Sequence, residues 1–477
     1  MTAHDLLALL PLLIAALTAV AVLLVVAVRR SHTAAALVSG TGLAAALASI
    51  LAAAPAVPLQ VTPLLVVDPF GLFYTGLILA ATVLVVVFSH GYFEHQSGPP
   101  EAVYVLLPAA AAGAITVVLS SHFASFFLGL EVLSIALSGL IGSVGTRPGP
   151  VEAGLKYLVP AAGSTAALVF GMALIYARLG TMEFGRMTAL FTTRADFYDP
   201  MLLAGLALII TGIAFRLAVA PFHIWAPDVY EGAPAPMAAF VDTVSKVALF
   251  GLLLRYFRQS PVEGGSVFLL FTILAMASMI AGTLLVLRRG SVKHMLACAS
   301  IAHFGYFLVA FQAGGAMGAE AATFYLTAYV ITTLGAFGVV GSLSNGTRDA
   351  DRLDDYRGLF WRRPFLAGVL TAMMLSLAGI PLTAGFLGRY FVVAAGASAG
   401  VWSLLIVLMA TSVIGLFGYL RVVVVLYARG GEPAPATRPI HAGSGLVLTL
   451  LTVLLVWFGT WPVPLLTAIR TIFTGFV

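Results

Sequence analysis

Charge is scarce in this chain. Asp, Glu, Lys and Arg make up 9% of its 477 residues, against about a quarter in an ordinary soluble domain. No polar stretch is long enough for a soluble catalytic module, so a soluble enzyme is excluded. Cysteine is rarer still. Cys298 stands alone in an apolar segment, so no intrachain disulfide can form and the redox compartment stays open. There is no Cys/His cluster for zinc or iron–sulfur and no CxxCH for haem. A Walker loop and a Rossmann glycine fingerprint are also missing. The chain itself is expected to hold no metal or cofactor, hydrolyse no ATP and bind no NADH. Decads of alternating polarity are absent as well, which argues against an outer-membrane barrel.

Apolar sequence fills the rest. Hydrophobic residues reach 61%, and fourteen apolar runs read as membrane spans. They lie near 6–28, 33–54, 70–90, 102–120, 123–143, 151–176, 201–224, 233–257, 266–287, 292–312, 316–343, 364–395, 398–427 and 443–461. The first, Leu6–Val28, would be about 34 Å long as a helix, enough for a hydrocarbon core of about 30 Å. Its basic residues, Arg29 and Arg30, follow the run rather than precede it, so it reads as a retained span and not a cleaved signal. The expected fold is an all-α integral membrane protein of about fourteen transmembrane helices, one polytopic domain over 1–477. The longest polar connections are 177–200 and 344–363, and the first reads as a short amphipathic surface helix.

The net charge of +5 points to basic loops at one membrane face rather than to nucleic acid, which is not an expected partner. Loops after odd-numbered spans carry thirteen Lys and Arg, including Arg147, Arg289 and Arg438. Loops after even-numbered spans carry five, including Arg194 and Arg258. The positive-inside rule then puts both termini on the non-cytoplasmic side.

Two spans look broken. Pro221 and Pro227 interrupt the end of span seven, while Gly379, Pro381, Gly385 and Gly388 punctuate span twelve. Proline removes a backbone donor and clashes with the preceding turn; at membrane depth the freed groups need protein or cavity water. The breaks stand five spans apart, and an odd offset reverses direction across the membrane. That is the pattern of two inverted five-helix repeats with discontinuous helices, repeat one about 102–257 and repeat two about 266–427. No letter-for-letter repeat accompanies it.

Seven ionisable residues sit within the apolar runs: Glu131, Lys156, Arg216, Asp242, Lys246, Arg389 and Arg421. One such charge facing lipid costs about 2.5–3.5 kcal/mol, so they are expected to face one another or water, the usual mark of an ion path. Glu131 is either a packing salt bridge or a working carboxylate. Lys246 can load and unload a proton in a desolvated setting, but Asp242 stands four residues before it on the same helix face and can simply neutralise it. Arg216 and Arg389 keep their protons, so each is a fixed field, a switching partner or a static pair. Lys156 is placed near a span end to snorkel or to function, and Arg421 reads as an interface anchor. His223 and His303 are either proton relays near neutral pH or hydrogen-bonded packing residues.

The stretch Arg216-Leu-Ala-Val-Ala-Pro-Phe-His-Ile-Trp-Ala-Pro-Asp-Val-Tyr-Glu-Gly-Ala-Pro234 closely resembles the segment that marks antiporter-like membrane subunits of respiratory complex I. Its Pro-Asp-Val-Tyr-x-Gly-Ala-Pro portion is similar to the subunit N type of that family. Leu-Gly-Leu-Glu131, Leu-Lys156-Tyr, Ser300-Ile-Ala-His-x-Gly-Tyr306 and Gly379-Ile-Pro-Leu-Thr-Ala-Gly-Phe-Leu-Gly388 add to it, and the likeness covers roughly 65–430. The resemblance implies two inverted five-helix units and a hydrated charged axis. In that family a span-five glutamate pairs with a span-seven lysine, a span-eight lysine relays protons and a span-twelve lysine serves the outlet. Glu131 and Lys246 match. Arg216 and Arg389 stand at the other two lysine positions and Asp242 is an addition, so a lysine-to-lysine hop through all three basic sites is not expected here.

The resemblance further implies a proton-translocating subunit of an NADH:quinone oxidoreductase in the inner (cytoplasmic) membrane. It would have no redox centre of its own, neighbouring membrane subunits and lipid as partners, and quinone and NADH used by the whole complex. Two other readings stand beside it: a non-pumping scaffold paralogue whose buried charges are static pairs, and a subunit of a multi-component cation/proton antiporter.

Overall fold

A computed structural model describes residues 2–94, 96, 100–143, 148–193, 199–257, 265–288, 290–345, 348–429 and 439–474. The loop bases Arg147, Arg194, Arg258, Arg289 and Arg438 lie outside the described residues. The N-terminal part comprises α1 (Ala3–Ala8), α2 (Leu10–Val28), α3 (His32–Ala53), a hairpin of β1 (Leu59–Thr62) and β2 (Leu65–Val67), and α4 (Pro69–Phe93). Then come α5 (Glu101–Leu119), α6 (Phe123–Ile141), α7 (Pro148–Leu179), α8 (Phe184–Thr193), α9 (Pro200–Leu217), α10 (Trp225–Gly232), α11 (Ala235–Phe240) and α12 (Lys246–Phe257). The remainder is α13 (Ser266–Val286), α14 (Val292–Ala313), α15 (Gly315–Leu343), α16 (Leu359–Arg362), α17 (Pro364–Ala378), α18 (Ala384–Ser398), α19 (Trp402–Tyr427), α20 (Ala442–Thr460) and α21 (Val463–Thr474).

Among the described residues, thirteen helices are long and apolar enough to cross a membrane, counting α11 to α12 as one. The expected fourteenth span is the pair of half-helices α17 and α18, each 15 residues long. The first span is shorter than its apolar run because the chain turns at Leu9, one residue before α2. The short helix expected in 177–200 is α8. The small β-hairpin before α4 was not foreseen.

Helices 235–256, 292–313 and 315–343 form the centre of the bundle, whereas α2, α3 and α20 turn most of their surface outward. Close crossings depend on glycine, as membrane helix packing favours. A Cβ on Gly113 of α5 would lie 2.8 Å from the Gly129 carbonyl oxygen of α6. One on Gly282 of α13 would lie 2.8 Å from the Cys298 oxygen of α14. The same device thus joins spans four and five, and again spans nine and ten.

Both helix breaks are made by one motif. Helix α9 ends with Ala218 in the left-handed region (φ 55°), with Val219 N–H donating to Ala214 O and Ala218 N–H to Phe215 O, each at 3.0 Å. Helix α17 ends with Gly379 (φ 75°), with Ile380 N–H donating to Leu375 O at 2.9 Å and Gly379 N–H to Ser376 O at 3.0 Å. These are Schellman caps, and a proline soon after stops the helix from resuming. Pro227 is a correction to the expected break. It lies in the first turn of α10, where a missing N–H has no intrahelical partner anyway.

Candidate functional site

The helix that carries Lys246 is not regular. Val241–Ser245 forms a π-helical turn between α11 and α12, the kind of local widening that often sits at functional sites. The hydroxyls of Thr243 and Ser245 donate four residues back, to Ala239 O and Val241 O, both at 2.7 Å. Asp242 in this turn is 1% exposed and accepts four donors. Its Oδ1 receives Lys246 Nζ at 2.8 Å, Ser300 Oγ at 2.6 Å and Tyr230 OH at 3.1 Å; its Oδ2 receives Tyr329 OH at 2.7 Å. Lys246 also donates to Ser300 Oγ, and its ammonium lies 4.8 Å from the Phe304 ring centre. The buried pair is therefore satisfied by hydrogen bonds from three helices, which a charge at this depth requires.

At the first break, Arg216 occupies the last turn of α9 and is buried. Its guanidinium donates to Ser164 Oγ at 3.1 Å, Tyr157 OH at 3.3 Å and Thr165 Oγ1 at 2.7 Å, and reaches Glu131 Oε1 at 3.4 Å. Thr165 in turn donates to Glu131 at 2.7 Å. The hydroxyl sits between carboxylate and guanidinium, so the pair is close but loosely joined, with Glu131 still 30% exposed.

The second break is built the other way round. Arg389 comes from α18 and donates into the end of α17, to Ala378 O at 2.9 Å and to Leu377 O. A fixed cation thus meets the negative end of a half-helix. Arg389 also donates to Tyr325 OH at 3.3 Å, and Tyr325 OH hydrogen-bonds His303 Nδ1 at 2.8 Å. At the first break a carbonyl of the last turn of α9, Phe215 O, accepts from Trp225 Nε1 at 3.0 Å.

These groups form one ribbon through the bundle. From Glu131 and Arg216 it passes Tyr157, Trp225 and Tyr230 to Asp242 and Lys246, then Tyr329, His303, Tyr325 and Arg389. Two stretches rest on ring contact rather than hydrogen bonds: Tyr157–Trp225–Tyr230, with centroids 5.2 and 6.3 Å apart, and Tyr329–His303, 5.5 Å apart. A tyrosine-rich polar seam thus joins two broken helices through a buried lysine, and buried ionisable groups at membrane depth are the usual mark of an ion path.

Residues 120–415 match the family described as NADH:quinone oxidoreductase/Mrp antiporter, TM. The chain belongs to this family. It is 45% identical over 476 residues to NADH-quinone oxidoreductase subunit N of Ectopseudomonas mendocina (strain ymp), covering 98% of this chain and 96% of that one. Among solved structures it superposes with TM-score 0.83 on a chain of respiratory complex I from Thermus thermophilus with bound aureothin, 31% identical, over 96% of this chain and 99% of that chain. Two more likenesses are of fold alone. A chain of the Mrp complex from a Dietzia species gives TM-score 0.82 at 21% identity, over 99% of this chain and 97% of that chain. One of the archaeal membrane-bound sulfane sulfur reductase gives 0.84 at 22%, over 98% and 96%.

The other residues singled out in the sequence of this antiporter-family chain lie apart from the seam. Lys156 is half-exposed on the outside of α7, paired with Glu152 at 2.9 Å and Asp228 at 3.3 Å. Its counter-charges are at the surface, so it is not drawn inward. Arg421 is exposed near the end of α19, where an interface anchor belongs. His223 is half-buried between α9 and α10, and its Nδ1 has no hydrogen-bond partner among the described residues.

Two buried ion pairs escaped the sequence reading. Arg255 donates to Asp68 at 2.7 and 2.9 Å, and Lys293 donates to Asp349 and to Ala233 O, each at 2.6 Å. Each cation stands near a helix end, where sequence alone assigns it to a loop, and its partner is 187 or 56 residues away. One local signal existed for Asp68. It precedes Pro69 and caps α4 by accepting from Gly71 N–H at 2.6 Å.

Proposed function

We propose that this chain is the proton-translocating membrane subunit of a respiratory NADH:quinone oxidoreductase. The observation that carries the reading is the seam from Glu131 to Arg389, hydrogen-bonded in part and joined elsewhere by ring contacts, with Lys246 and its counter-ion Asp242 at the centre. The likeness to subunit N of the Ectopseudomonas complex supports it over nearly the full chain. In this reading, quinone reduction with NADH as donor takes place in other subunits of the complex. This chain lies in the inner membrane among further membrane subunits, with repeat one about 102–257 and repeat two about 266–427.

Lys246 is the proton carrier. Arg216 and Arg389 retain their charge and set the field at either end. Movement of Glu131 away from Arg216 changes the field at Lys246, so carboxylate pairing and lysine protonation are linked. Protons cross the two ring-contact stretches by water or by rotation of the tyrosine hydroxyls. The full set of partners on Asp242 favours one competing reading, a static pair in a non-pumping scaffold.

The deciding experiment is protons translocated per electron in inverted membrane vesicles, for the native complex and for Lys246→Ala at matched assembly. A lower ratio, or pumping and electron transfer falling together, supports the carrier role. An unchanged ratio and rate makes the seam structural. Cation flux without NADH oxidation would instead favour a multi-component antiporter.

A further inference from the structure

Three histidines outside the seam come together at one end of the bundle. His32 opens α3, His90 lies in the last turn of α4 and His441 caps α20. The His32 and His90 ring centres are 4.7 Å apart, and those of His90 and His441 are 5.1 Å apart. Tyr104 OH holds His32 Nε2 at 2.6 Å. The Nδ1 atoms of His90 and His441 are buried and have no hydrogen-bond partner among the described residues, and neither has Glu101 Oε2. Packing alone does not call for three imidazoles in a row, two of them with an open nitrogen. The described residues contain no group of three His, Cys, Asp or Glu placed to share a metal ion.

The row ends at a cavity. His441 lines a space of about 310 Å³ together with Glu94, Tyr92, Ser344, Asn345 and Ser444. That is far above the 10–15 Å³ or so that one water needs. Tyr92 also lines a second cavity, of about 230 Å³, with Glu231, Ala233, Lys293, Asp349 and Asp351. Its hydroxyl donates to Asp349 Oδ1 at 2.5 Å, and Lys293 holds the other carboxylate oxygen. Lys293 also donates to Ala233 O, three residues after Tyr230, which donates to Asp242. Among the described residues, the charged and titratable groups facing the histidines are one another, Glu94 at the end of α4, and Glu101 and Tyr104 from α5.

We propose that His32, His90 and His441 form a proton-loading relay that serves the cavity and, past Tyr92, the Lys293–Asp349 pair on the way to Lys246. Imidazole exchanges protons near neutral pH, and adjacent rings in contact share charge poorly, so a proton placed on one is readily passed on. Each hop moves a single proton from an imidazolium, through a bridging water, to a neutral ring nitrogen or to cavity water and returns the donor ring to neutrality. No co-reactant is required. Glu94 and Glu101 offset the positive charge while it resides there. This inference rests on the proton-translocating reading above.

The test uses the assembled complex in inverted vesicles, which turn the cytoplasmic face to the medium. NADH-driven pumping is measured from about pH 6 to about pH 9 for His90→Asn/His441→Asn and for His441→Asn alone. Asparagine is a good helix cap, so the single variant keeps the start of α20 and decides the matter should the double variant not assemble. The expected result is pumping close to the parent at the acid end, a loss of about threefold or more at the alkaline end, and recovery when imidazole is added to the medium. Unchanged pumping at every pH overturns the relay. So does an even loss that imidazole does not restore, because that marks a packing role. Lys246→Ala in the same vesicles separates the two levels. If it leaves pumping intact the parent reading fails, whereas a sensitive Lys246 with indifferent histidines removes only the relay.

Discussion

Arg389 donates to two carbonyls and a tyrosine oxygen, and that geometry predicts what its replacements do. Arg389→Lys keeps the charge and can still reach the end of α17, so pumping is expected to be preserved or raised. Arg389→Ala leaves Leu377 O and Ala378 O without their donor, and an unsatisfied buried group costs about 1–3 kcal/mol. Thermal unfolding of the assembled complex, read beside protons per electron, distinguishes the two. A complete loss of pumping in Arg389→Lys with normal assembly would show that arginine is required, not merely tolerated, where the family resemblance implies lysine. Asp242 and Lys246 make a second case. Removing either partner of a buried pair costs about 3–5 kcal/mol, whereas removing both does not leave a lone charge. Asp242→Asn and Lys246→Met should therefore each destabilise more than the double variant, and a double-mutant cycle measures the coupling. Additive single effects would mean that Ser300 and the Tyr230 and Phe304 rings, not Asp242, hold the lysine.

At the scale of elements, the two breaks share a backbone motif but use different residues at the left-handed position. A Cβ on Gly379 would lie 2.8 Å from Arg389 Nη1, so alanine there meets the guanidinium besides adopting a positive φ that costs roughly 1–2 kcal/mol. At the first break Ala218 is tolerated, because Arg216 projects from within α9 toward α7 and away from the cap. Gly379→Ala is expected to displace Arg389 from the carbonyls and lower pumping. Ala218→Gly should change stability by no more than about 1 kcal/mol, since the relief of strain and the added chain entropy oppose each other. Equal effects at both sites would show that the caps, not the arginine, set the requirement. The breaks were legible in sequence because glycine and proline interrupt apolar runs. The π-turn at 241–245 was not, since one extra residue per turn leaves the apolar pattern of the span unbroken. Its only trace was the run Asp242-Thr-Val-Ser245, in which the Thr243 and Ser245 hydroxyls bond back to carbonyls four residues earlier. Ion pairs across distant helices left no trace of this kind. Glu131 and Arg216 stand out as charges inside apolar runs and the family resemblance implies their pairing, whereas Lys293 and Asp349 lie outside any motif.

For the whole molecule, the prediction concerns direction across the membrane. The structure brings Gly149, Glu231, Ala233, Lys293 and Asp349 to one cavity. These residues border the connections after spans five, seven, nine and eleven, so those connections share a face, as alternating spans require. That face carries most of the loop bases, and the positive-inside rule predicts that it is cytoplasmic. Sidedness can be read directly because the chain has a single cysteine. Cys298 is fully buried in α14, so a membrane-impermeant thiol reagent should find almost no background. Asp354→Cys places a thiol where the native side chain is 89% exposed, in the connection after span eleven. Thr2→Cys places one at the exposed N-terminus. In inverted vesicles the first is expected to be labelled and the second protected; right-side-out membranes should give the reverse. If Thr2→Cys is labelled in inverted vesicles instead, the bundle is inserted the other way. The histidine row would then open to the non-cytoplasmic side, and protons would leave by the route assigned here to their uptake.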